Sequence, residues 1–107
     1  MNMIRCVCLV QRGQKPDQLE ATLKSALEAF CVRSFGEIPK VNWIRIAPGS
    51  GFTAAQPSTS SIVSICAPQA VTQERRAELL GEICELWMDE TRCSMNEIMA
   101  VVSDPRD

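Results

Sequence analysis

The 107-residue chain contains no histidine, and that gap alone excludes much enzymology. Ser-His-Asp and Cys-His nucleophile systems use an imidazole as their base. The commonest metal ligand is missing too, so no metal site and no cofactor are expected. Long apolar runs are also lacking, and a membrane span is not expected. The opening stretch from Met1 to Val10 is short, carries Arg5 inside it and lacks a small-residue cleavage site. It does not read as a signal peptide, which places the protein in the cytoplasm. Basic clustering is absent. Residues 1–57 carry a net charge of +3 and residues 58–107 a net charge of −5, giving −2 overall. Such a balance argues against a nucleic-acid footprint and leaves room for a small anionic ligand near the first half.

Six cysteines, with no Cys-x-x-Cys and no secretory signal, fall short of a disulfide scaffold. They read as free, mostly buried thiols, the usual state of unpaired cysteine. Cys6 and Cys8 share one face of a predicted strand, yet no partner motif completes a metal or redox pair around them.

What is present is a repeated order of elements. Ile4 to Val10 is a β-branched and apolar run closed by Gln11-Arg12-Gly13, a strand leading into a turn. A helix should start near Pro16, with Asp17 and Glu20 at its positive end and Leu19, Leu23, Ala26, Leu27 and Phe30 at helical spacing. Val41 to Ala47 predicts a second strand. Residues 48–60, rich in Gly, Ser and Pro, predict a loop. Then Ile62 to Ala67 predicts a strand, and Thr72 caps a helix whose stripe is Ala77, Leu80, Ile83, Cys84 and Trp87. Ser94 and Glu97 have capping-box spacing ahead of a last strand, Ile98 to Val102.

Shifting residues 4–48 by 57 positions superposes them on 61–105 without a gap, pairing Leu23 with Leu80, Phe30 with Trp87, Ile44 with Val101 and Pro48 with Pro105. The chain therefore reads as one domain of two β-α-β units, about 1–48 and 58–107, joined by the Gly/Ser/Pro-rich loop. Each unit should be a parallel crossover. Parity puts Ile4, Cys6, Cys8 and Val10 on one face of the first strand and Arg5, Val7 and Leu9 on the other, and it sets Val41, Trp43 and Arg45 against Asn42, Ile44 and Ile46. Two helices cover only one side of a four-stranded sheet, so the second side calls for another cover. Copies of the same chain are the simplest one.

The opening strand, the cadence Gly36, Pro39 and Val41-Asn42-Trp43-Ile44-Arg45-Ile46-Ala47-Pro48, the long loop into Ser60-Ser61-Ile62-Val63-Ser64-Ile65, and the helix start Thr72-Gln73-Glu74-Arg75-Arg76 together resemble the tautomerase superfamily. That superfamily includes oxalocrotonate tautomerase, malonate semialdehyde decarboxylase, the chloroacrylate dehalogenases and macrophage migration inhibitory factor. The resemblance spans nearly the whole chain. It implies an α/β fold with a four-stranded, mainly parallel sheet, two helices on one face, and a homotrimer whose sheets face one another. It also implies an N-terminal proline acting as base beside a carbonyl, with arginines holding the carboxylate.

At the position of that proline stands Asn2, behind Met1. Met1 and Asn2 are thus the candidate catalytic residues, with the α-amine of Met1 as an altered base. An amine displaced by one strand residue, about 3.3 Å, would catalyse poorly. Arg12 matches a carboxylate-binding arginine of oxalocrotonate tautomerases, and Asn42 falls where those enzymes carry their second. Arg45, beside Trp43, is a candidate for a ligand or for an ion pair between subunits. Glu37 follows Gly36 where relatives of the inhibitory factor often have lysine. The expected function is a tautomerase-like protein acting on or binding a small carbonyl-containing carboxylic acid, with proline-type catalysis lost or altered. The alternatives are a non-catalytic trimeric module binding a ligand or protein, and an antiparallel ferredoxin-like regulatory domain.

Overall fold

A computed structural model describes residues 4–105. The elements run β1 (Ile4–Gln11), α1 (Lys15–Gln18), α2 (Glu20–Phe35), β2 (Pro39–Ile46), β3 (Phe52–Thr53), β4 (Gln56–Pro57), β5 (Ser61–Cys66), α3 (Gln73–Thr91), a 3-10 turn (Met95–Glu97) and β6 (Ile98–Ser103). The four long strands form one sheet in the order β2-β1-β5-β6, parallel within each half and antiparallel where β1 meets β5. Each half is therefore a parallel crossover, and the antiparallel alternative is removed. Among the described residues, no helix is long and apolar enough to cross a membrane.

Alternation along the strands decides which face is covered. Ile4, Cys6, Cys8 and Val10 of β1 and Val63 and Ile65 of β5 pack with Leu23, Leu27 and Phe30 of α2 and Leu79, Ile83 and Trp87 of α3. Every one of these side chains is buried. Trp43 of β2 stacks on Trp87 with ring centroids 6.5 Å apart, tying the edge strand to the second helix.

The stripe of α3 departs from the spacing read along the chain. Leu79, Ile83, Trp87 and Thr91 are its buried residues, at strict four-residue intervals, whereas Ala77 is exposed and Leu80 and Cys84 are half-buried flanks. A helix turns 100° per residue, so a one-position change of phase moves Leu79 into the core and Leu80 to its edge.

The ends of α3 follow their capping chemistry. Thr72 Oγ1 accepts the Arg75 N–H at 3.1 Å, and the Ser94–Glu97 capping box closes the turn before β6. All six cysteines are free thiols, with Cys6, Cys8 and Cys31 in the core. Burial and the neighbouring Cys6 push the Cys31 thiol up to about 12. Cys6 is raised too, first by its contact with Cys8, whose Sγ lies 4.0 Å away, and then by burial.

Candidate functional site

The other face of the sheet carries no helix, and its residues are fixed by register. Lys40, Arg5, Cys66 and Ser103 form a row at the end where β1 begins. Asn42, Val7, Ser64 and Val101 form the next row, and Ile44, Leu9, Ile62 and Met99 the third. Gln11 and Ile46 pair beyond them. The face thus grades from cationic to apolar, and none of the strand residues named on it is a carboxylate. Ile44, Ile62 and Met99 are 48%, 37% and 57% exposed, so the apolar end is uncovered in the single chain.

That end is walled into a cavity of about 360 Å³ by the β3–β4 hairpin. Phe52 and Thr53 face Leu9, Ile46, Ile62 and Met99 across it, with Gln11, Ser58, Ser60 and Asn96 supplying polar groups. Gln11 is nearly fully buried, and its Nε2 donates to the Ser58 carbonyl. Thr53 Oγ1 donates to Ser58 Oγ at 2.7 Å, and Ser60 Oγ to the Asn96 carbonyl at 3.0 Å. Apolar walls with a few fixed polar groups suit a small molecule of mixed character. Glu97 helps to anchor this wall. Its carboxyl is held below the usual range by the Ser94 N–H, which donates to it, and by the Thr59 hydroxyl.

Met1 and Asn2 lie outside the described residues. Arg12 is exposed just beyond the end of β1, its N–H donating to the Ile46 carbonyl at 2.9 Å. An eight-residue strand is about 24 Å long, so Arg12 lies at the opposite end of β1 from Ile4. The 57-residue repeat places neutral Gln69 as the counterpart of Arg12 in the second half.

Arg45 is already occupied. Its Nε donates to Asp17 Oδ1 at 2.8 Å and its Nη2 pairs with Glu20. Both carboxylates raise the Arg45 pKa. Asp17 is held below the usual carboxylate range, first by the Gly13 N–H at 2.9 Å and then by Arg45, with the charge of Arg12 adding to it. Arg45 is thus held by two carboxylates of its own chain. Arg12 and Arg45 are thus gathered around Asp17, while Asn42 stands on the open face beside Val7.

Motif reasoning passes over Gln11, Phe52 and Asn96, which line the cavity. Phe52 alone leaves a signal, as the one aromatic in the turn-rich stretch 48–60.

No family model and no curated protein matches the chain. Solved structures do. The native protein Ps01740 is 23% identical, with 94% of this chain and 93% of that one covered at a TM-score of 0.83. A wild-type fused 4-OT, Q0, which is a symmetric trimer, is 16% identical, covering 94% of this chain and 85% of that one at a TM-score of 0.81. The chain has the tautomerase-superfamily fold. A macrophage migration inhibitory factor-like protein from Entamoeba histolytica shares the fold at 8% identity, with 97% and 90% of the two chains covered and a TM-score of 0.74.

Proposed function

We propose that this is a tautomerase-like protein of the cytoplasm that binds a small carbonyl-containing carboxylic acid as a homotrimer, and that proline-type catalysis in it is lost or altered. Its two β-α-β units act as one domain. The observation that carries the reading is the cavity under the β3–β4 hairpin, apolar in its walls and one residue from Arg12. The acid's body would fill the cavity and its carboxylate would reach the exposed guanidinium, whose planar fork takes two oxygens.

Asn2 supports the loss of proline chemistry, since its nitrogen is not a secondary amine. A homotrimer would bring residues of neighbouring copies to one site. The uncovered Ile44, Ile62 and Met99 supply an apolar surface for such association.

Ketonisation of phenylpyruvate and carboxylate binding test the proposal together, with the mass measured by sedimentation. The expected result is weak or absent turnover, binding weakened by Arg12→Ala, and a trimeric mass. Robust turnover abolished by blocking the α-amine would overturn the loss of catalysis. Unchanged affinity in Arg12→Ala would remove that residue from the site, and a monomeric mass would remove the trimer.

A further inference from the structure

The corner where β1 ends, α1 and α2 begin and β2 ends gathers five charged side chains: Arg12, Lys15, Asp17, Glu20 and Arg45. It lies on the helix side of the sheet, since Arg45 shares the strand face of Trp43, whose ring stacks on Trp87 of α3. The geometry divides these charges unevenly. Arg45 Nε donates to Asp17 Oδ1 at 2.8 Å and the Gly13 N–H donates to Asp17 Oδ2 at 2.9 Å, so both oxygens of that carboxylate are engaged. Arg45 Nη2 is held in turn by Glu20. Arg12 has no ion-pair partner among the described residues. Yet its Cα is only two bonds from the Gly13 nitrogen that Asp17 grips, which puts Asp17 within reach of its long side chain. The Asp17 carboxyl feels the Gly13 N–H first, then Arg45, and also the charge of Arg12.

We propose that Arg45 is a positioning residue for Arg12: pinned by Glu20, it occupies Asp17 and so keeps the Arg12 guanidinium unpaired and available to a ligand carboxylate. This role rests on the carboxylate reading of Arg12 given above. Arg45 spends two nitrogens on two carboxylates, one from α1 and one from the start of α2. Its planar fork is preorganised for such double engagement. Arg12 could take Asp17 only by displacing Arg45 from Oδ1. With Arg45 gone, Oδ1 loses its cation, and Arg12, already tethered beside it through Gly13, can replace it. A ligand carboxylate would then compete with Asp17 for the same N–H donors.

Two double-mutant cycles test the role, with circular dichroism checking that each variant is folded. In the first, phenylpyruvate binding should weaken about fivefold in Arg45→Gln, the size of one exposed ion pair. Asp17→Asn should leave affinity near the wild-type value on its own but restore it in the Arg45→Gln background. A general loss of positive charge would instead make the two changes additive, and additivity overturns the proposal. The second cycle needs no ligand. Arg12→Gln should raise the titration midpoint of the Asp17 carboxyl, followed by NMR, more in the Arg45→Gln background than in wild type, because Arg12 pairs with Asp17 only when Arg45 is gone. An equal rise in both backgrounds overturns the proposal. Absence of phenylpyruvate binding to wild type strikes the function proposed above instead, and the second cycle then decides the role of Arg45.

Discussion

The tip of the β3–β4 hairpin is built against the preference of its residues. Phe52 pairs with Pro57 and Thr53 with Gln56, leaving Ala54 and Ala55 as a two-residue turn. Both have left-handed φ, 52° and 62°. Two-residue hairpins favour that conformation because its twist matches the strands, but they normally fill it with Asn-Gly. An alanine held there costs roughly 1–2 kcal/mol from the clash of Cβ with the backbone. The double variant Ala54→Asn, Ala55→Gly should relieve it. Glycine returns roughly 0.5–1 kcal/mol to the unfolded chain as entropy, so the expected net gain for the pair is about 1 kcal/mol.

Where that gain appears depends on how the hairpin opens. If it opens only with the whole fold, the melting temperature should rise by about 4 °C. If it opens locally, as short surface elements do, exchange of the Ser58 amide should slow about fivefold. That amide donates to the Gly51 carbonyl at 2.8 Å and reports on closure of the hairpin. Phe52 and Thr53 belong to the cavity wall, so a better-ordered hairpin should also tighten ligand binding by lowering the ordering cost. Unchanged or faster Ser58 exchange, together with an unchanged or lower melting temperature, would refute the reasoning, because relief of two strained residues would then have no effect.

Two further outcomes follow from titrating groups. Asp17 has a lowered folded pKa, so its contribution to stability is present above the unfolded value of about 3.9 and is lost as the pH falls through the lower folded value. Asp17→Asn should therefore be less stable than wild type at neutral pH, with the difference vanishing in strong acid; a difference that grows on acidification would reverse the assignment. Raised thiols in the core should be inert, since the thiolate is the nucleophile. In the native protein, Cys6 and Cys31 should resist a thiol-titrating disulfide reagent until denaturant is added, as mass spectrometry of the labelled peptides would show, and rapid native labelling of either would contradict their burial.

The half-domain order was legible because strand and helix periods are local. Alternation in Ile4 to Val10 told the two faces of β1 apart without any partner strand, and Thr72 announced the start of α3 by its own side chain. The phase of α3 was less legible. Leu79 and Leu80 are equally apolar, and only the position of the sheet decides which one is buried. The β3–β4 hairpin left no turn signal, since Ala-Ala is not a turn pair. Arg45 could not be matched to Asp17 either, because 28 residues separate them and only the parallel register of β1 and β2 brings the end of β2 over α1.

A single strand organises the functional geography of this molecule. β1 carries Arg5 at its start and Gln11 at its end, and successive residues of one parity place a cation, then Val7 and Leu9, then the buried amide of the cavity wall along one line. The residues of the other parity are all core. Changes on the first set can therefore alter ligand or partner without disturbing packing, whereas changes on the second set act on stability first. The same strand sets Ile4 and Arg12 at its two ends, about 24 Å apart, so the cavity beside Gln11 and the exposed Arg5 are separate places along one face, and a substitution at one leaves the other in place.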